Sequence, residues 1–154
     1  MLASLPCRYY VFGPANEQGY LDALIRDAGA EAEIVSLIGL LPLEEVPDAI
    51  RRMDCYIATD SGNIYIADAL RVPVICFAGP YEAEEQRPLN NALIIRPDAI
   101  APSSFVFAAL YHFAHPATEL YALTAEDRVN IVNFVGSLPA RQRLTAKRSD
   151  APAS

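Results

Sequence analysis

Short apolar segments and amphipathic segments alternate along the chain. The apolar segments are four or five residues long, rich in β-branched and aromatic residues, and bounded by glycine, proline or polar residues, a pattern typical of buried strands. We expect strands at Tyr9–Phe12, Ile34–Leu37, Cys55–Thr59, Val74–Phe77 and Ala92–Ile95.

The amphipathic segments carry apolar residues at every third or fourth position, which predicts helices. Gly29 follows the first of them as a helix stop, and Pro47 is compatible with the second only within its first turn. Asp127, three residues after Thr124, resembles a capping box at the start of the last. Helices are expected over Glu17–Ala28, 43–53, Ile64–Arg71, 103–113 and 124–136.

This alternation predicts an α/β fold, a Rossmann-like parallel sheet of about five strands with helices on both faces. We expect one domain over residues 1–139 and a disordered tail over 140–154, which is polar, small and basic. Such sheets bind ligands beyond the carboxyl ends of their strands. Three turns at those ends are candidates for a site: Gly13–Glu17, Asp60–Asn63 and Gly79–Tyr81.

Composition narrows the class of protein. The chain has 154 residues, 53% of them apolar and 20% charged, so it can bury a core and is not a disordered protein. Its net charge of −7 would repel a phosphate backbone, which makes nucleic acid an unfavourable partner. No apolar run approaches the roughly 20 residues of a transmembrane helix, and we expect no signal peptide.

Cysteine and histidine give little sign of redox or metal chemistry. Cys7, Cys55 and Cys76 form no CxxC pair, and we expect them to be buried small residues in a reducing cytoplasm. His112 and His115 are three residues apart without further ligands nearby, so we expect no metal site.

The turn Thr59–Asn63 is the sharpest candidate for chemistry. It joins a strand to a helix, and the unpaired amide groups and positive dipole end of that helix suit a pyrophosphate. Gly62 allows a ligand to approach the backbone, and Asp60, which phosphate would repel, is suited to accept hydrogen bonds from hydroxyls. Alternatively, Asp60, Ser61 and Asn63 only cap the helix, as these residue types do.

The turn Gly13–Glu17 offers a second candidate. A carboxylate just beyond a strand end is well placed to hold the two vicinal hydroxyls of a ribose. The alternative is that Glu17 only stabilises the start of the next helix through its dipole.

Three segments in this order resemble a known family. They are Ile38–Glu45 (IGLLPLEE), Met53–Ala67 (MDCYIATDSGNIYIA) and Val72–Pro80 (VPVICFAGP). They look like the carboxyl-terminal half of the family-9 glycosyltransferases, the bacterial heptosyltransferases that build lipopolysaccharide core. The resemblance runs from about Tyr9 to Ala114.

The resemblance implies a GT-B architecture, in which this half holds a nucleotide-diphosphate sugar and another domain holds the acceptor and the catalytic base. It implies that Glu17 binds the ribose, Asp60 contacts the donor sugar, and the backbone N–H groups of Ser61 and Gly62 hold the pyrophosphate. Leu41, Pro42 and Leu43 correspond to the base pocket. Asn63, Gly13 and Gly79 complete the expected donor site, and no catalytic residue, metal or cofactor is expected in this chain.

The chain also departs from the family pattern. Tyr65 stands where the family usually has histidine, Pro47 is unusual in its helix, and no lysine precedes Lys147. The resemblance begins near the family's second strand of this domain. We therefore expect either that Tyr9–Phe12 pairs directly with Cys55–Thr59, or that another chain supplies a strand between them. A third possibility is that the sequence is a fragment of a longer gene product.

These observations lead to two main alternative functions, and a doubly wound domain that binds an unrelated small ligand is a third possibility. In the first, the chain is the donor-binding half of an inverting, heptosyltransferase-like enzyme in the cytoplasm, inactive without an acceptor domain. In the second, it is a degenerate glycosyltransferase-like domain that acts as an interaction or scaffold protein. In either case we expect a partner, which is an acceptor-domain chain or a second copy.

Overall fold

The computed structural model describes residues 5, 7–79, 87–96 and 117–139. Its strands are β1 (Arg8–Val11), β2 (Glu33–Ser36), β3 (Tyr56–Thr59), β4 (Val74–Phe77) and β5 (Ala92–Ile95). Its α-helices are α1 (Gln18–Ala28), α2 (Val46–Arg51), α3 (Gly62–Ala69), α4 (Ala117–Leu120) and α5 (Ala125–Ser137). One-turn 3-10 helices at Ala15–Glu17 and Leu43–Glu45 lead into α1 and α2. The helix expected at 103–113, the tail at 140–154, and Pro80 and Tyr81 lie outside the described residues.

The helix ends follow the signals in the sequence. Helix α1 stops at Gly29, whose φ of 81° is a conformation that glycine adopts without strain. Pro47 lies in the first turn of α2, where a missing N–H costs no helical hydrogen bond. At α5, Thr124 Oγ accepts from the Asp127 amide at 3.1 Å, and Asp127 accepts from the Thr124 amide at 2.8 Å. The predicted capping box is therefore confirmed.

The α/β class with five strands is confirmed, and every strand pair in the described residues is parallel. The strands form two sheets, one of β1 and β2 and one in the order β3-β4-β5. Within the described residues β1 does not pair with β3, so the direct pairing considered above does not occur.

Two apolar clusters lie on opposite faces of β4. Val74 and Cys76 belong to a cluster with residues of α2 and α3, while Ile75 packs with Ile131 of α5 and Ile95 of β5. Because neighbouring residues of a strand point to opposite faces, a strand covered on both faces must be apolar throughout. This double burial explains the uninterrupted apolar sequence of β4.

Side chains connect the two sheets where backbone hydrogen bonds do not. The rings of Phe12 and Tyr56 lie 5.9 Å apart between centroids, and both pack against the cluster on the α2–α3 face. On the other face, Cys7 and Cys55 pack against the cluster that contains Ile75. Apolar contacts therefore connect the two sheets on both faces, although β1 and β3 make no backbone hydrogen bonds to each other in the described residues.

A polar clamp joins the end of α3 to the segment before β5. The Asp68 carboxylate accepts from the amides of Leu89 (3.1 Å) and Asn90 (2.9 Å) and from the Asn90 side chain (2.8 Å). Arg71, with a φ of 59°, donates to the Asn90 side-chain oxygen. These bonds hold the start of β5 against α3, and β5 then pairs with β4.

Candidate functional site

The turn after β1 folds so that the Glu17 carboxylate lies next to the backbone of Gly13. A Cβ atom at Gly13 would lie 2.3 Å from Glu17 Oε2, so only glycine leaves room for the carboxylate in this position. The Glu17 amide donates to the Pro14 carbonyl at 3.0 Å, which closes the turn. The turn after β2 is attached to it, since the Gly39 amide donates to the Gly13 carbonyl at 2.8 Å.

A small pocket opens beside Glu17. Its volume is about 110 Å³, below the roughly 300 Å³ at which sites for drug-sized ligands begin. In a pocket of this kind, the single carboxylate can accept hydrogen bonds from the hydroxyls of a sugar ring, while the apolar side chains contact the faces of the ring. The lining residues are Val11, Phe12, Glu17, Tyr20, Leu21, Leu24 and Ile38.

The turn after β3 leads into α3 without a side-chain cap. Ser61 is the N-cap residue and has extended backbone angles, but its side chain makes no capping hydrogen bond. Gly62, the first residue of the eight-residue helix, has open space where a Cβ would stand. The amides of Gly62 and Asn63 thus have no side-chain cap, the Ile64 amide donates to the Ser61 carbonyl at 3.0 Å, and this end of the helix carries a partial positive charge.

A tyrosine of α3 binds the aspartate of this turn. The Tyr65 hydroxyl donates to Asp60 Oδ1 at 3.1 Å. Burial, followed by the charge of Asp60, raises the pKa of Tyr65 to about 12. Tyr65 therefore stays protonated and remains a hydrogen-bond donor at neutral pH. The side chains of Asp60 and Ser61 therefore do not cap the helix, in contrast to the alternative given above.

Register brings the turn after β3 to the same sheet edge as Gly79. Thr59 is the partner of Phe77, so the chain leaves the sheet at Asp60 on one strand and at Ala78 on the other. Gly79 is half-buried next to this edge. The candidate residues of β3 and β4 are therefore neighbours.

The segment Leu41–Leu43 divides between core and surface. Leu41 packs against the apolar cluster that contains Ile64 of α3, whereas Leu43 is 79% exposed and Pro42 is also exposed. The exposed pair is available to a planar ligand, and Leu41 holds the segment against α3.

Sequence reasoning missed three contributors to these turns. Tyr20 and Ile38 line the pocket at Glu17, and Tyr65 binds Asp60. Helical spacing places Tyr20 three residues after Glu17 and Tyr65 three after Gly62, a signal that could have found the two tyrosines. No comparable local signal exists for Ile38, which comes from another strand end.

The described residues contain no group of three or more His, Cys, Asp or Glu side chains that could hold a metal ion. Among them there is also no helix with the length and apolar character that crossing a membrane requires. Burial above all raises the pKa of the Cys55 thiol to about 12, so it is a protonated, weakly reactive group at neutral pH.

Comparison with known proteins places this geometry in a family. Residues 3–102 match the family model described as glycosyltransferase family 9 (heptosyltransferase). A crystal structure of the glycosyl transferase family 9 from Veillonella parvula is similar, with 19% identity and a TM-score of 0.54, over 60% of this chain and 27% of that one. At this identity the likeness supports the fold alone, and the chain spans well under two thirds of that protein. Among curated proteins no match is found. Because the family model covers most of its length, this chain belongs to glycosyltransferase family 9.

Proposed function

We propose that this domain binds a nucleoside diphosphate sugar and is the donor-binding part of an inverting, heptosyltransferase-like enzyme. The accessible N-terminus of α3 is the observation that carries the proposal. Its first amides are uncapped by Ser61, and nothing lies within 4 Å of a Cβ built at Gly62. Oriented amides with a positive dipole stabilise phosphate without needing a lysine.

The neighbouring residues supply the other contacts of the proposed site. Glu17 accepts from the ribose hydroxyls, Asp60 accepts from hydroxyls of the donor sugar, and Pro42 and Leu43 cover the base. Gly13 leaves room for the Glu17 carboxylate, and Gly79 lets the backbone approach the ligand. During transfer, the α3 amides would stabilise the charge that builds up on the departing diphosphate.

This chain is proposed to need a second domain for catalysis. Inverting transfer to a hydroxyl requires a general base within hydrogen-bond reach of that hydroxyl. We infer from the family resemblance that the base would come from the acceptor domain, in a separate chain or in another part of the protein. A role in lipopolysaccharide synthesis and a cytoplasmic location are parts of the same proposal.

Titration calorimetry of the full chain tests the donor site. We expect ADP, GDP or UDP to bind, and the corresponding nucleoside diphosphate sugar to bind more tightly. Glu17→Ala should weaken both ligands, whereas Asp60→Ala should remove the gain from the sugar. Asp27→Ala is the control, because Asp27 is a surface residue whose side chain is 78% exposed.

A scaffold function remains the second candidate. It is favoured by Tyr65 in place of the family's histidine and by the lack of lysine before Lys147, since a lysine ammonium group is a common phosphate ligand. No binding at millimolar nucleotide would select this function. Sugar transfer by the purified chain alone would instead contradict the need for a second domain.

Association with a partner chain or a second copy is part of both candidates. Within the described residues, β1 and β3 each have one strand edge without a backbone partner, and such edges readily pair with other chains, which supports association. Light scattering at high concentration tests for self-association. A monodisperse monomer would argue against a second copy.

A further inference from the structure

The hydrogen bond between Tyr65 and Asp60 has a consequence for the site. Asp60 immediately precedes Ser61, the N-cap of α3, and aspartate is one of the residue types that bind the first amides of a helix. A free carboxylate next to the positive end of α3 would be drawn onto these amides. In the structure Asp60 Oδ1 instead accepts from the Tyr65 hydroxyl at 3.1 Å.

The N-cap side chain of the turn does not occupy these amides either. Ser61 makes no capping bond. The amides of Gly62 and Asn63 thus carry no side-chain cap in the described residues, whereas the Ile64 amide donates to the Ser61 carbonyl at 3.0 Å.

We propose that Tyr65 is a positioning residue that holds the Asp60 carboxylate away from the N-terminus of α3 and so keeps the helix amides available to a diphosphate. This inference rests on the proposed donor-binding function. Without the hydroxyl, Asp60 competes with the diphosphate for the same amides, as one anion against another. Tyr65 does not touch the diphosphate itself.

Tyr65 is suited to this task for two further reasons. It lies on α3 itself, so the hydroxyl and the amides that it keeps open move as one unit. Its pKa, raised to about 12, keeps the phenol a donor throughout the physiological range. Tyr65 is 40% exposed, so replacing its hydroxyl leaves no buried polar group unpaired.

The test titrates the full chain with ADP, GDP and UDP and, as phosphate-free probes, with adenosine, guanosine and uridine. These diphosphates carry no sugar, so the proposed contact of Asp60 with the donor sugar does not contribute. Tyr65→Phe should bind the preferred diphosphate about tenfold more weakly, the size expected when a capping carboxylate must be displaced. Its affinity for the matching nucleoside should not change.

A second substitution separates competition by Asp60 from general damage. Tyr65→Phe combined with Asp60→Asn should regain most of the lost affinity, because a neutral amide competes less well for the helix N-terminus. Asp60→Asn alone should bind the diphosphate at least as tightly as the wild type, and this variant serves if Tyr65→Phe does not fold. Tyr121→Phe, at a tyrosine outside the turn, is the matched control.

Each outcome decides between the hypotheses. Equal diphosphate affinity of wild type and Tyr65→Phe overturns the role of Tyr65 but leaves the donor site intact. Weaker binding of diphosphate and nucleoside alike, without recovery in the double variant, would mean that Tyr65 is merely structural. If the wild type binds none of the three diphosphates, the proposed function fails and this inference fails with it.

Discussion

Replacing Asp68 with alanine should loosen the attachment of β5 to α3. The substitution removes the acceptor of three hydrogen bonds, from the Leu89 amide, the Asn90 amide and the Asn90 side chain. The clamp is at the surface, so each bond is given the low end of the usual range, about 0.5 kcal/mol. The free energy of unfolding should therefore fall by about 1.5 kcal/mol.

The effect should depend on pH in a defined direction. Burial would raise the pKa of Asp68, but the amides of Leu89 and Asn90, the Asn90 side chain and the charge of Arg71 outweigh it, and the pKa is lowered. A group with a lowered pKa in the folded state stabilises the protein above its unfolded pKa of about 4. That contribution disappears as the pH falls through the folded pKa. The difference between wild type and variant should thus be full at pH 7 and shrink below about pH 4.

Thermal and urea unfolding at pH 7 and at several acidic values provides the assay. For a domain of this size the loss corresponds to a decrease in Tm of about 3 to 6 °C. Asp27→Ala is the control, because Asp27 is 78% exposed and its contact with Arg26 is 3.8 Å long, so it should change stability by less than about 0.5 kcal/mol. An Asp68→Ala variant as stable as this control at pH 7, or a difference that grows on acidification, would refute the reasoning.

Three further predictions concern the core, a thiol and the turn after β1. Ile75→Ala in the buried centre of β4 should cost about 3 kcal/mol in urea unfolding, and a cost below about 1 kcal/mol would mean that this position is not packed. The Cys55 thiol, with its pKa raised to about 12, should react slowly with iodoacetamide at pH 8 and much faster in urea; equal rates would contradict its burial. Gly13→Ala should displace the Glu17 carboxylate, which lies 2.3 Å from the added Cβ, and weaken nucleotide binding. Gly19→Ala, where a Cβ meets open space inside α1, should leave binding unchanged.

Local sequence pattern predicted β4 and β5 to the residue. Val74–Phe77 and Ala92–Ile95 are the strands in both the prediction and the structure. Continuous apolar character marks a strand covered on both faces, and flanking prolines or polar residues mark its ends. The start of α3 was predicted two residues late, at Ile64 rather than Gly62, because helix N-termini depend on backbone angles at the cap residue more than on apolar spacing.

The candidate site was predicted less completely. The sequence indicated both turns, since glycine and short polar residues after a strand are a local signal. The contact of Glu17 with Gly13 and the hydrogen bond from Tyr65 to Asp60 depend on the folded structure. The four-residue helix α4 was also not predicted, because a single turn carries too little periodicity to recognise.

The sequence by itself determined the α/β class, the five strands, the helix stops and the family, since each depends on residues close together in the chain or on their order. Tertiary structure alone decided that the strands divide into two sheets and that β1 and β3 meet through Phe12 and Tyr56 rather than through backbone hydrogen bonds. It also decided which polar side chains leave the α3 amides free. Strand pairing and side-chain partners depend on groups that folding brings together from distant positions, and hydrophobic periodicity carries no information about them.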